Sequence, residues 1–316
     1  MPTKYLDSPI TSKGYFHFGG GADTIFTTSL PGTGYLIDSG GGDDVVFGSS
    51  ADDTIAGGDG SDQIYGGAGD DTIYGGTDAT IFGGTLGSLD SSKGQNPAPS
   101  NYLMGDGVFS ETTGPDDINM TVSGDFTGGN DTIHGGNGSD DHIYGDMANV
   151  TFTGSSSFQG GADVLYAGDG GTNYLYGDAV SITGALDVTG GNDTLYAGTG
   201  DDNMWGDWAS ASGSGTVATG ADTFVFTTIG GTDNINDFEV AKDTIDLSGT
   251  HITEAILDSN QDGAITVDDQ YVYADVGDHN LRIDLGAADG SGASGSVIVH
   301  GVDSIDLGHF DFAPIA

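Results

Sequence analysis

Asp62 and Asp71 stand nine residues apart in GGDGSDQIYGGAGDDTIY, the stretch that begins at Gly57. It is two adjoining copies of G-G-x-G-x-D-x-U-x, where U is a large apolar residue. That pattern is the calcium-binding repeat of parallel β-helices. Its chemistry follows from its residue types. Gly57, Gly58 and Gly60, and then Gly66, Gly67 and Gly69, permit a turn too tight for side chains. The Asp carboxylate and the turn carbonyls are hard oxygen donors of the kind Ca²⁺ takes. Asp-Gly runs also occur as solvated turns, but exact tandem copies favour the ligand role.

The same spacing nominates further carboxylates. Phe18–Phe26 (FGGGADTIF) offers Asp23, Ser39–Phe47 (SGGGDDVVF) offers Asp44, and Gly48–Ala56 (GSSADDTIA) offers Asp53 in a glycine-poor unit. A longer period follows in FTGGNDTIHGGNGSDDHIYGDM, FQGGADVLYAGDGGTNYLYGDA and VTGGNDTLYAGTGDDNMWGDW. Its leading carboxylates are Asp131, Asp163 and Asp193, and Asp222 opens a partial fourth copy. Within it, Gly135, Gly136, Gly138 and Asp140 form one more turn, and Gly198, Gly200 and Asp202 another. Between them, at 167–176, Thr172 takes the sixth position, so that turn is expected to bind weakly or not at all. A separate constellation is DSNQDGAITVDD at 258–269. Asp258, Asn260, Asp262, the Ala264 carbonyl and Asp269 occupy positions one, three, five, seven and twelve of an EF-hand loop, with Gly263 at the sharp sixth position. The last ligand is Asp where Glu is usual, so its arm reaches less far.

Such carboxylates need a scaffold that repeats with them. The x-U-x after each Asp makes a short strand with one side chain turned inward, which places Val46, Ile55, Ile64 and Ile73 in a core. The expected fold is an all-β parallel β-roll with Ca²⁺ between stacked turns. Residues 1–17 read as a lead-in and 18–226 as the roll, with an irregular excursion at about 75–125. Residues 227–316 read as a β-rich C-terminal cap holding the EF-hand-like loop. NYLMGD at 101–106 matches NYLYGD at 173–178 and reads as the tail of an earlier copy. The long-period insertions ANVTFTGSSSF, AVSITGALDV and ASASGSGTVA stack on one side if the coils stack, as a polar face, an added short sheet or a cover for the roll edge.

Composition agrees with metal binding. The 316 residues carry 48 acidic and 5 basic side chains, a formal charge of −43, and every acid but Glu111, Glu239 and Glu254 is Asp. Such a chain repels itself until cations neutralise it, so folding and ion binding are expected to be coupled. The charge excludes nucleic acid as a partner, and no apolar run is long enough to span a membrane. The chain has no Cys, so disulfides and thiol chemistry are excluded. No standard signal peptide stands at the N-terminus. The sequence holds no zinc-protease spacing and no nucleophile elbow, and no catalytic set is recognised. His134 and His142 are expected on outward strand positions. Trp205 and Trp208 could stack on a sugar ring, but read better as core filling.

The nonapeptides are similar to those of the RTX, or hemolysin-type, calcium-binding family. The C-terminal region, with GADTFVF, TDNINDF, DTIDLSG and GVDSIDLGHFDF, resembles the ends of serralysin-type proteases and the R-modules of alginate C-5 epimerases. The resemblance implies a right-handed β-roll that folds on meeting Ca²⁺, and export by type I secretion to the cell exterior. Nothing matches those families' catalytic domains. The expected function is an extracellular binding or structural module of adhesin, surface-layer or matrix type. The alternative is a polysaccharide-acting enzyme or its accessory module. Candidate partners are an extracellular glycan or surface component, the export machinery, and further copies of the chain.

Overall fold

The computed structural model describes residues 3–6, 15–27, 34–42, 44–49, 51, 53–57, 61–67, 72–74, 78–82, 85–86, 100–104, 108–109, 119–135, 140–275 and 279–314. Among these, the chain winds through two long parallel walls of very short strands. The first wall runs from Thr3–Leu6 through Val45–Ser49, Ser61–Gly67 and Asp140–Tyr144 to Gly231–Ile235. The second runs from Tyr15–His17 through Thr54–Ala56, Thr132–His134 and Thr194–Ala197 to Phe310–Asp311. Successive coils place strands alternately in the two walls, and each wall pairs in parallel, in register, through this roll region.

The register explains why three-residue strands suffice. In each strand the middle residue faces inward, and these residues align coil upon coil. Ile133 pairs with Leu165 and Leu165 with Leu195 in the second wall. Ile143 pairs with Leu175 and Leu175 with Met204 in the first. All are fully buried in one core that also takes Val46, Ile55, Ile64 and Ile73. Each such side chain contributes roughly 1.5–3 kcal/mol by leaving water. A single strand buries too little to stand alone, so stability comes from stacking.

The segment expected as an excursion is only partly described. Its strands Asp78–Phe82 and Ser100–Met104 both join the first wall, and Leu103 falls in register with Ile143. That is the placement expected of a repeat tail.

From Asn119 onward the insertions build two further walls. One contains Asn119–Ser123, Met147–Thr153, Ala179–Ala185 and Trp208–Gly213, and the other Phe126–Thr127, Phe158–Gln159, Val188–Thr189 and Val217–Ala218. They enclose their own apolar core, in which Met147, Val150, Phe158, Ile182 and Val188 are buried and Trp208 nearly so. The insertions are therefore a second lobe beside the roll. Their Ser and Thr side chains lie mostly on its outer surface, with Thr151 and Thr183 Oγ1 atoms 3.1 Å apart, while Ser156 is buried.

Beyond Ile235 the first wall changes its pairing. Gly295–His300 still pairs in parallel with Gly231–Ile235, but Asn280–Ile283 and Val272–Ala274 continue the wall antiparallel. Two short helices, Glu254–Leu257 and Leu285–Asp289, accompany them. Among the described residues no helix is long and apolar enough to cross a membrane.

Candidate metal centre

The Asp two residues before each inward apolar side chain sits where a turn delivers the chain into a wall. These carboxylates form two columns, one along each edge of the roll. On the edge entering the second wall stand Asp53, Asp131, Asp163, Asp193, Asp222 and Asp243, all buried. On the other edge stand Asp23, Asp44, Asp202 and Asp233, also buried.

One hydrogen bond repeats along both columns. At six places an Asp accepts, at Oδ1, the backbone N–H of the Asp one coil before it, and Asp53 accepts the Tyr35 N–H in the same way. Asp131 donates to Asp163 at 2.6 Å, Asp163 to Asp193 at 2.7 Å, Asp193 to Asp222 at 2.9 Å and Asp222 to Asp243 at 3.0 Å. Asp23 donates to Asp44 at 2.7 Å and Asp202 to Asp233 at 3.0 Å. The bond holds each carboxylate in one rotamer and leaves Oδ2 for another partner. At Asp193, Oδ2 is buried and has no hydrogen-bond partner. A buried carboxylate oxygen in that state is costly unless a cation meets it.

The electrostatics agree. Burial first, and then the charge of Asp207, pushes the Asp222 carboxyl up to about 9. Burial and the Asp202 charge take Asp233 to about 9 as well. Asp193 is raised well above the carboxylate range by burial and by Asp222. Asp202 reaches only about 6, because the amides of Asn173 and Gly198 donate to it.

The glycines leave room for this crowding. A Cβ on Gly198 would collide with the Gly168 carbonyl oxygen of the coil before, and one on Gly200 with that of Gly171. Turn carbonyls therefore crowd the same edge as the carboxylates. Among the described residues no group of three or more His, Cys, Asp or Glu side chains surrounds one metal-sized space. The donor set is instead carboxylates completed by turn carbonyls, which suits Ca²⁺.

Several expected ligands shift under the register. Ile143 is the inward residue of its strand, so Asp141, and not Asp140, lies two places before it, beside Asn101. An extra residue in that turn misplaces a count made from its glycines. By the same register Asn173, and not Thr172, faces Asp202 of the next coil, and its Nδ2 donates to Asp202 Oδ1 at 2.7 Å. At Asp53 one of the two missing glycines is Ser49, whose N–H and hydroxyl both donate to that carboxylate. Gly57 and Gly135 lie at the ends of their strands as expected. Asp62, Gly66, Gly67 and Asp140 are placed by their backbones alone, and Gly58, Gly60, Gly69, Asp71, Gly136 and Gly138 lie outside the described residues. Asp233 and Asp243 escaped the glycine pattern because their turns lack it. Their D-x-U spacing was the available signal.

The loop 258–269 folds as its spacing suggests. Asp258 accepts the N–H groups of Asp262 and Gly263 at 3.0 and 3.1 Å. Asp269 accepts from Ser259 Oγ at 3.2 Å and from the Thr266 N–H at 3.0 Å. Asn260 and Asp262 each accept an N–H two residues on. Gly263 has φ +92°, and the Ala264–Ile265 strand pairs with Ile305–Asp306. The first and last carboxylates are buried at opposite ends of one closed loop.

The outward aromatics form a ladder. His134, Tyr166 and Tyr196 stack at centroid spacings of 4.3 Å, and His142 stacks on Tyr174 at 4.6 Å. Trp205 stacks on Tyr176 at 4.5 Å and Trp208 packs in the second core. Core and ladder filling thus accounts for both indoles.

The model of the RTX calcium-binding nonapeptide repeat matches four times, over residues 36–55, 47–82, 127–149 and 186–209. The chain carries RTX calcium-binding repeats. Among solved structures, the AlgE6R3 subunit of the mannuronan C5-epimerase of Azotobacter vinelandii is similar over 56% of this chain and 81% of its own, with 22% identity and a TM-score of 0.34. No curated protein matches. The RTX repeats coincide with coils whose turns make the two carboxylate columns, so Ca²⁺ is the cofactor these columns fit.

Proposed function

We propose that this RTX β-roll is a secreted module whose coils are locked together by Ca²⁺ and whose surface serves extracellular binding or matrix structure. The observation that carries the calcium part is the pair of buried carboxylate columns, with Asp193 Oδ2 buried and unsatisfied. Asp44, Asp131, Asp163, Asp193, Asp202 and Asp222 would hold ions with turn carbonyls, and Asp258, Asn260, Asp262, Asp269 and the Ala264 carbonyl would hold one more. When bound, Ca²⁺ supplies the positive charge that lets these carboxylates stay ionised inside the protein. Export would suit this chain physically, because a chain of −43 charge would stay extended where Ca²⁺ is scarce and fold where it is plentiful.

The test is size-exclusion chromatography with light scattering, in chelator and then in millimolar Ca²⁺. An expanded monomer that contracts supports ion-coupled folding, and growth into larger species supports a surface-layer or matrix role. An unchanged radius sinks the reading. A second reading, an accessory module for extracellular polysaccharide, draws on the half-exposed His134–Tyr166–Tyr196 ladder, since stacked rings suit sugar faces. A panel of acidic and neutral glycans, followed by a product assay, separates the two.

A further inference from the structure

The roll and the insertion lobe meet along a neck, and the neck carries carboxylates that belong to neither nonapeptide column. Each first-wall strand of the long-period coils ends in Gly145–Asp146, Gly177–Asp178 or Gly206–Asp207 before the chain leaves for the lobe. It returns through Gly160–Gly161, Gly190–Gly191 or Gly220 into the second wall. The insertion has thus opened a turn that elsewhere is continuous, and has left a carboxylate at the break. Asp146, Asp178 and Asp207 are buried.

Each of them receives a backbone donor from across the neck. Gly161 N–H donates to Asp146 Oδ2 at 3.1 Å, Gly191 N–H to Asp178 Oδ1 at 3.1 Å and Gly220 N–H to Asp207 Oδ1 at 2.6 Å. In the last coil Asp237 accepts from the N–H groups of Gly206 and Asp207 at 2.9 and 3.2 Å. The second-wall column faces the same gap. A Cβ on Gly177 would collide with both Asp193 Oδ2 and the Gly206 carbonyl oxygen, so these two oxygens converge on one point. The motif repeats at Gly145, against Asp163 Oδ2 and the Gly177 carbonyl, and at Gly206, against Asp222 Oδ2. Of these oxygens Asp193 Oδ2 is fully buried and unsatisfied.

The coils offer this row almost no positive charge. Between Lys93 and Arg282 the sole Lys or Arg is Lys242, which sits at the end of the row and binds Glu239 and Thr219. Backbone N–H groups do not offset the burial of neighbouring negative charges.

We propose that at the neck the ions of the second-wall column gain a further ligand, an insertion-border carboxylate (Asp146, Asp178 or Asp207), beside the Oδ2 of a second-wall Asp (Asp163, Asp193 or Asp222) and a glycine carbonyl. The ions pin the insertion lobe to the roll. The inference rests on the calcium-binding reading above, and extends it to carboxylates outside the nonapeptide pattern.

The chain's two Trp residues, Trp205 and Trp208, bracket Gly206–Asp207 and supply the probe. Tb³⁺ replaces Ca²⁺ in oxygen sites and emits when a nearby indole is excited. The intact chain is titrated with Tb³⁺, excited through Trp, and its bound Ca²⁺ is counted by equilibrium dialysis. The expected result is indole-excited emission that Ca²⁺ competes away. Asp207→Asn should lower that emission several-fold, and Asp178→Asn and Asp207→Asn should each lose at least one Ca²⁺. Asp202→Asn, on the far edge of the roll, should keep most of the emission. Retained emission and ion count in both neck variants would overturn the proposal, as would loss of emission in Asp202→Asn alone. If the neck variants fail to fold, the wild-type chain decides, because bound Ca²⁺ without indole-excited Tb³⁺ emission overturns the inference equally. A chain that binds no Ca²⁺ at all overturns the calcium reading as well, so the two failures are distinguishable.

Discussion

A carboxylate buried beside another is tolerated when it is protonated or when a cation stands against it. This choice governs the residue scale and gives a pH dependence. Without cations, burial pushes Asp222 and Asp233 up to about 9, Asp207 and Asp237 to about 7 and Asp202 to about 6, from 3.8. The folded chain therefore keeps protons that the unfolded chain has released. These groups favour folding fully below the unfolded value near 4, and that contribution is lost as pH rises through about 6 to 9. In chelator, circular dichroism should show more folded chain as the buffer is acidified towards about pH 4. In saturating Ca²⁺ the trend should reverse, because the ion needs the ionised form. Asn173→Asp offers a second check. It removes the amide that donates to Asp202, so it should destabilise the chelated protein and shift the Ca²⁺ midpoint of folding to lower concentration. A variant that moves both states in the same direction would contradict the assignment of that edge.

Among elements, the short strands depend on their single inward side chain. Leu195→Ala should cost about 2–5 kcal/mol in a denaturant titration, since Leu195 is wholly buried between Leu165 and Phe224. Ile182→Ala should cost a similar amount, because the insertion walls close over a core of their own. Had the insertions been only a polar cover, Ile182→Ala would resemble Leu186→Ala, a half-exposed position expected within about 0.5 kcal/mol. Gly177→Ala tests the neck from the backbone side. Its Cβ collides with a carbonyl and a carboxylate oxygen, and overpacking of this kind costs about 1–3 kcal/mol or more.

Over the whole molecule, coils that contact only their neighbours gain stability additively from each interface. An ion that binds only the folded state adds about 2.7 kcal/mol at a hundredfold excess over its Kd. With several sites in series, the thermal midpoint should climb with the logarithm of Ca²⁺ concentration several times more steeply than one ion would allow. Calorimetry across a Ca²⁺ series checks this. A slope no steeper than that of a single ion would mean that the columns do not fill.

The sequence by itself determined the roll, its inward column of Ile, Leu and Val, and Ca²⁺ as the fitting cofactor. The nonapeptide encodes turn, strand and ligand within nine residues, and every one of those links is local. Its tandem copies also located Asp44, Asp163, Asp193 and Asp202. What remained hidden depends on which residues lie opposite one another. Asp141 replaced Asp140 and Asn173 replaced Thr172 because strand pairing, set by the buried Ile143 and Leu175, fixes the register where an irregular turn cannot. Asp233 and Asp243 entered the columns without glycine-rich turns. The second core and the neck were least legible. Ser- and Thr-rich insertions reveal their inward Val150 and Ile182 only once two new walls close upon them, and the charges of Asp178 and Asp193 act on each other only when coils stack.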